Sequence, residues 1–261
     1  MGSLEWFEGD KMFRVISYGS RSGKIAISDD PKNSRLLVEI YFPDTSIIHL
    51  VLAKVRNMFD LDSDPVVIAN SLEQDPQLKK LLKKFPGTRL PSGWNAWEVA
   101  ISAILGQLVS MERGRTLVAD LIELSGSDSG LIHEGRQIKL FPTPQQIVNA
   151  DLSNLKTTRI RRQTLIDFSQ ALINGEISLE ATQNVEEFLR KIQTLRGIGP
   201  WTAQYIALKA LRHTDAFPET DLVLARALET HSAEMIAATS PWRGYVATLL
   251  WREHTPPPAK K

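Results

Sequence analysis

Two glycines one residue apart, Gly197 and Gly199, separate two helical patterns in the stretch TLRGIGPWTAQYIALKALR, and a lone acid, Asp221, follows in FPETDLVLAR. A turn this tight between helices needs residues that accept positive φ and leave the backbone uncovered. Together with the N-terminus of the next helix, such bare amides can grip one anion, for example a phosphate. Ile198 between them would pin the turn to the core. Taken bare, a G-x-G between helices fits a plain helical hairpin equally well. Asp221 stands where a carboxylate would cap the helix LVLARALE. Trp201 and Tyr205 are four residues apart and so share one helix face, which is ordinarily a core arrangement.

The elements needed to hold these residues follow from periodicity. Residues 12–42 alternate in the runs MFRVIS, GKIAIS and SRLLVEIYF, which predicts a small antiparallel sheet. TSIIHLVLAKVRNMFDL predicts a helix opened by Thr45 or Ser46. From about Ser71 onward only helical patterns are visible. They include NAWEVAISAIL, weakened at Gly106, and GRTLVADLIELSG, closed by Gly126. TPQQIVNA starts on a Thr143 cap with Pro144 at the first helical position. IRRQTLIDFSQALING ends at Gly175, and VEEFLRKIQTLRG ends at Gly197. The expected fold class is mainly α with a small N-terminal α+β domain. The tail TPPPAKK reads as frayed.

Composition narrows the function classes. The chain has 261 residues, 43% of them hydrophobic, and no run of about 18 apolar residues that would span a membrane. The opening MGSLEWFEGDK lacks the order of a secretory signal, and its MGS could be vector-derived. With no cysteine, disulfides, thiolate zinc sites and a cysteine-held iron–sulfur cluster are excluded. The five histidines show no metal-ligand spacing, so no metal site is expected. A net charge of +1 does not announce a nucleic-acid partner. The run KTTRIRR (156–162) carries four cations and no acid, and alone it reads as a solvated face. GSRSGKI (19–25) has the wrong glycine spacing for a phosphate loop and reads as a hairpin turn. GSDSG (126–130) puts Asp where a nucleophile elbow needs Ser.

The pattern GIG-W-TA-Y followed by D-FP--D resembles the helix-hairpin-helix DNA glycosylases, in particular their 3-methyladenine-DNA glycosylase II branch. AILGQLVS (103–110) is similar to that branch's DNA-probing segment, and RLP, FPTPQQI and PWRGYVATLLW fall in the family's order. The resemblance covers about residues 45–253. It is looser at the N-terminal sheet, where relatives have an extra strand and helix, so the small domain is expected to be shortened at its start.

The resemblance implies two helical lobes with an active-site cleft between them. It divides the chain into a small α+β domain (1–71), a lobe carrying the catalytic acid (72–95 with 214–261), and a lobe ending in the helix-hairpin-helix (96–213). Asp221 matches the catalytic aspartate, Trp201, Tyr205, Trp251 and Gln107 the base pocket, and Leu108 a wedge that fills the gap left by a flipped-out nucleotide. Gly197, Ile198, Gly199 and Thr202, with Arg113 and Arg115, would meet phosphates. The implied activity is hydrolysis of the N-glycosidic bond of alkylated purines, leaving an abasic site. Trp201 stands where bifunctional relatives place a Schiff-base lysine, so no strand nicking is expected. The rival readings are another damaged-base specificity, such as hypoxanthine or an oxidised purine, and a non-catalytic damage-binding module. No cofactor is implied, although the hairpin carbonyls could hold a monovalent cation. The implied partner is damaged double-stranded DNA, bound by a monomer. The implied place is the cytoplasm at the nucleoid, or the nucleus in a eukaryote.

Overall fold

The computed structural model describes residues 4–254; the MGS start and the TPPPAKK tail lie outside the described residues. Four strands come first, β1 (Glu5–Glu8), β2 (Lys11–Tyr18), β3 (Arg21–Asp30) and β4 (Arg35–Tyr41). They form one antiparallel meander in sequence order. β2, β3 and β4 match the three alternating runs, whereas β1 was not expected. GSRSGKI is indeed a hairpin turn: Gly19, at φ 59°, sits in the two-residue connection between the paired Tyr18 and Arg21.

Helices follow: α1 (Ile48–Met58), α2 (Pro65–Leu72), α3 (Pro76–Lys84), α4 (Ala96–Gly106) and α5 (Met111–Ser125). The expected Thr45 or Ser46 cap is replaced by Asp44. Its carboxylate accepts from the Ser46 amide at 2.9 Å and opens a short 3-10 turn ahead of α1.

The region beyond Ser71 is not purely helical. After α5 comes a hairpin of β5 (Asp128–His133) and β6 (Arg136–Lys139). Its turn residues Glu134 and Gly135 both have positive φ, 49° and 72°. That geometry suits a two-residue connection between twisted strands. The Glu134–Gly135 pair between the short runs LIH and RQIKL was the available local signal.

The remaining helices are α6 (Pro144–Asn149), α7 (Arg159–Ile173), α8 (Val185–Ile192), α9 (Pro200–Lys209), α10 (Leu222–Ala227), α11 (Ala233–Ala238) and α12 (Arg243–His254). α6 opens on a capping box between Thr143 and Gln146, as Thr143–Pro144 suggested.

The chain forms two compact units, residues 1–54 with 105–175 and residues 55–104 with 176–261. These bounds differ from the three-part division implied by family resemblance, and the β5–β6 hairpin explains why. Leu4 and Val15 of the N-terminal segment share a buried cluster with Ile122 of α5 and Ile138 of β6. Trp6, Leu131 and Phe141 pack around it, and β5 lies against β3. The sheet therefore completes its core with residues 105–175 and does not stand alone.

The second unit is helical. α12 is its central element, with every residue from Gly244 to Leu250 buried. A Cβ at Gly244 would stand 2.4 Å from Leu208 of α9 and 2.8 Å from the Thr214 carbonyl, so only glycine permits this approach. Asp215 anchors the start of α12, accepting from Arg243 Nε and Nη2, both at 2.8 Å, and from Ser240 at 3.0 Å. Asp215 is thus a loop residue that clamps the start of α12.

Candidate active site

The second unit gathers the residues singled out first. Between α8 and α9 the chain turns at Gly197–Gly199. Gly197 has φ 91°, the left-handed region that favours glycine. Gly199 instead has φ −91° and acts as the cap residue of α9, so only one of the two glycines is there for positive φ. Both are exposed, while Ile198 between them is 5% exposed. Burying that side chain contributes about 2 kcal/mol to fixing the turn. Pro200 opens α9 at its first helical position, where its missing N–H removes no helical hydrogen bond. Thr202 is buried, which turns its side chain inward and leaves the exposed surface to the glycine backbone.

Trp201 and Tyr205 lie one turn apart on α9, their rings stacked at 5.1 Å between centroids. Tyr205 continues to Trp251 of α12 at 6.2 Å. Asp221, just before α10, ties the three rings to a carboxylate. Its Oδ1 accepts from the amides of Val223 at 3.0 Å and Leu224 at 3.2 Å, the cap foreseen from sequence. The same Oδ1 accepts from Trp251 Nε1 at 3.0 Å. Oδ2 accepts from Trp201 Nε1 at 3.0 Å. Four N–H donors thus fix one half-buried carboxylate beside a row of aromatic faces. Burial and the Asp221 charge together raise the Tyr205 phenol above its usual pKa, so it stays neutral.

Lys209 was not foreseen. It lies on α9 in register with Trp201 and Tyr205, two turns beyond Trp201. Its ammonium is 5.4 Å from the Trp251 ring centre and donates to the Pro91 carbonyl at 3.0 Å. Burial lowers its pKa to about 8, partly opposed by the charge of Asp60. The i, i+4, i+8 spacing of positions 201, 205 and 209 was the available signal.

In the first unit, α4 ends at Gly106 and Leu108 follows at φ 53°, 96% exposed. A leucine in the left-handed region costs about 1–2 kcal/mol, and full exposure forfeits its burial as well. Gln107 before it is half-buried, and its main-chain carbonyl accepts from Arg161. Arg113 donates to the Lys156 carbonyl, and Arg115 is exposed. Among the described residues no group of three or more His, Asp or Glu could hold a metal ion. No described helix is long and apolar enough to cross a membrane.

Comparison with known proteins finds relatives in both sequence and fold. Residues 1–95 match the AlkA N-terminal domain. A Mycobacterium tuberculosis protein named a probable bifunctional transcriptional activator/DNA repair enzyme AlkA is 30% identical over 88% of this chain. The chain covers 47% of that relative, about half its length. DNA-3-methyladenine glycosylase 2 of Escherichia coli is 28% identical, covering 96% of this chain and 88% of that protein. Among solved structures, a 3-methyladenine DNA-glycosylase from Archaeoglobus fulgidus superposes with a TM-score of 0.79 over 96% of this chain and 90% of that one, at 20% identity. On these matches of sequence and fold, the chain belongs to the 3-methyladenine-DNA glycosylase II branch of the helix-hairpin-helix DNA glycosylases.

Proposed function

We propose that this protein is a DNA glycosylase that hydrolyses the N-glycosidic bond of alkylated purines in double-stranded DNA and leaves an abasic site. The observation that carries the reading is the Asp221 carboxylate, held by Trp201 and Trp251 beside three aromatic rings. Cleaving this bond builds positive charge on the sugar, as in glycoside hydrolysis. A carboxylate fixed in advance stabilises that charge without reorganising. Oδ1 is occupied by three donors and Oδ2 by one, so Oδ2 keeps a lone pair for the sugar or the attacking water.

The rings suit the substrate. Purines alkylated at N3 or N7 carry formal positive charge, and an electron-rich face attracts them by about 0.5–2 kcal/mol. Such bases also leave readily, so little leaving-group assistance is required. The exposed Gly197–Gly199 backbone would hold a phosphate without reading sequence. Arg115 is exposed and would add charge on the DNA-facing surface implied for its own unit, where Leu108 would fill the space of the extruded nucleotide. A row of aromatic faces selects shape poorly, which leaves room for neutral damaged purines such as hypoxanthine.

No lysine occupies the hairpin position 201, and Lys209 lies about 12 Å further along α9 at 1.5 Å per residue. The product is therefore an intact strand with an abasic site. The test is release of 3-methyladenine and 7-methylguanine from methylated duplex by wild type and Asp221→Asn, with strand breaks scored before and after alkali. Wild-type release, a nearly inactive variant and breaks only after alkali are expected. Duplex binding without release by wild type would leave a damage-binding module. A borohydride-trapped protein–DNA adduct would overturn the hydrolytic route.

A further inference from the structure

We propose that Arg161 is a positioning residue for base extrusion, holding the Leu108 loop in its projecting conformation. The inference rests on the wedge role given to Leu108 above. Leu108 combines two unfavourable features, a left-handed backbone and 96% exposure, so something else must hold it there. Arg161, in the first turn of α7, supplies that hold. One guanidinium nitrogen, Nη2, donates to the Gln107 carbonyl, the peptide immediately before Leu108. A second, Nη1, donates to the Thr157 hydroxyl at 3.0 Å. The third, Nε, is buried and makes no hydrogen bond in the structure. The guanidinium is thus committed to the protein, with its planar fork spanning two loops.

The brace runs in both directions. Arg113 of α5 donates back to the Lys156 carbonyl. Arg162 stiffens that second loop by donating to the carbonyls of Leu155 at 3.0 Å, Thr157 at 3.1 Å and Ser153 at 3.3 Å. Ser110 and Thr158 cap α5 and α7, accepting from the amides of Arg113 and Arg161, so each arginine sits in the capped first turn that faces the opposite loop. Three arginines are therefore spent on main-chain carbonyls of these two loops, one of them on the peptide next to the exposed leucine. The basic run 156–162 is in this part a clamp as well as a charged surface.

A double-mutant cycle tests this in the full-length protein. Single-turnover release from a duplex with one alkylated purine is measured for wild type, Arg161→Met, Leu108→Ala and the double variant. Extrusion is followed by 2-aminopurine fluorescence beside the lesion. Arg161→Met is expected to slow release about tenfold, the low end for a charged hydrogen bond. In the Leu108→Ala background the same change should cost less than twofold, because the group it positions is gone. The slope of duplex affinity against salt should not move, since Arg161 is not a phosphate contact. Arg161→Lys, which keeps charge and most of the volume, should fall between wild type and Arg161→Met and covers the case of poor folding.

Equal losses from Arg161→Met in both backgrounds, or a smaller salt slope, would overturn the proposal. A wild-type rate for Leu108→Ala alone would remove the wedge reading and the proposal with it, while Asp221→Asn still reports the chemistry. No release by wild type would instead sink the glycosylase reading itself.

Discussion

Replacing each indole with phenylalanine separates the two oxygens of Asp221. Trp251→Phe removes one of three donors to Oδ1, and the amides of Val223 and Leu224 remain at 3.0 and 3.2 Å. Trp201→Phe removes the donor that Oδ2 receives in the structure. A hydrogen bond to a charged group is worth about 1.5–3 kcal/mol. Where two backbone bonds still hold the oxygen, we expect to lose a fraction of that, about 0.5–1 kcal/mol, or roughly 2- to 5-fold in rate. Where no other donor is present, the carboxylate can rotate, and most of the bond's value is lost, about 10- to 100-fold. Both variants keep a six-membered ring against Tyr205, so their effects on KM should be similar and the difference should appear in kcat. The assay is base release at saturating and limiting methylated duplex, with a melting curve for each variant. Losing a donor also leaves more charge on Oδ2, which alone would speed the reaction. A Trp201→Phe rate at or above wild type, or equal to that of Trp251→Phe, would show that positioning of Oδ2 is not what Trp201 contributes.

Three further outcomes follow. Gly197→Ala forces a Cβ into φ 91°, at a cost of about 1–2 kcal/mol; it should weaken binding to damaged and undamaged duplex alike, measured by fluorescence anisotropy. Asp60 is 4% exposed at φ 55° and accepts from Tyr245 and Ser63 hydroxyls at 2.8 and 2.9 Å and the Leu90 amide at 2.9 Å, with Arg212 at 3.6 Å. Asp60→Asn tolerates the same backbone and can keep its amide oxygen toward the three donors on Oδ2, but it turns every charged hydrogen bond into a neutral one and presents an N–H₂ to Arg212; it should cost about 2–3 kcal/mol in urea unfolding. Lys209, its pKa depressed to about 8, binds fewer protons folded than unfolded between pH 8 and its unfolded value near 10.5. Its burial penalty is therefore full below pH 8 and lifts as pH rises through that window. Wild type should gain stability relative to Lys209→Met between pH 8 and 10, measured by paired melting curves; a flat difference would mean that Lys209 is not desolvated.

Legibility differed by the kind of interaction. Three of the four N-terminal strands and the α6 cap were readable because they depend on period-two alternation and on a local Thr–Pro signal. The burial of Ile198 and the capping by Asp221 were readable for the same reason, since both are decided within a few residues. The β5–β6 hairpin was missed because a six-residue and a four-residue strand offer little periodicity between helices. The packing of the N-terminal sheet against residues 105–175 was not legible for the same reason, since the hairpin is what gives the sheet its partner. No local pattern could show that Trp251, thirty residues from Asp221, donates to the same carboxylate as Trp201. Nor could it show that a basic run braces a loop more than fifty residues earlier.

The two uses of Asp221 are not separable, and that constrains how the site can change. As a helix cap it needs one oxygen turned toward the amides of Val223 and Leu224. As an acceptor for two indoles it needs both oxygens, so glutamate would misplace them and asparagine would present an N–H₂ to the Trp201 N–H, donor against donor. Each substitution thus disturbs the cap, the rings and the charge together. The stack of Trp201, Tyr205 and Trp251 is held in turn by the acid, because an indole whose N–H is fixed cannot rotate its face away. The rings and the carboxylate are in this sense one structure: under the proposed function, the interactions that would orient the rings toward a cationic base would also fix the negative charge in place for the sugar.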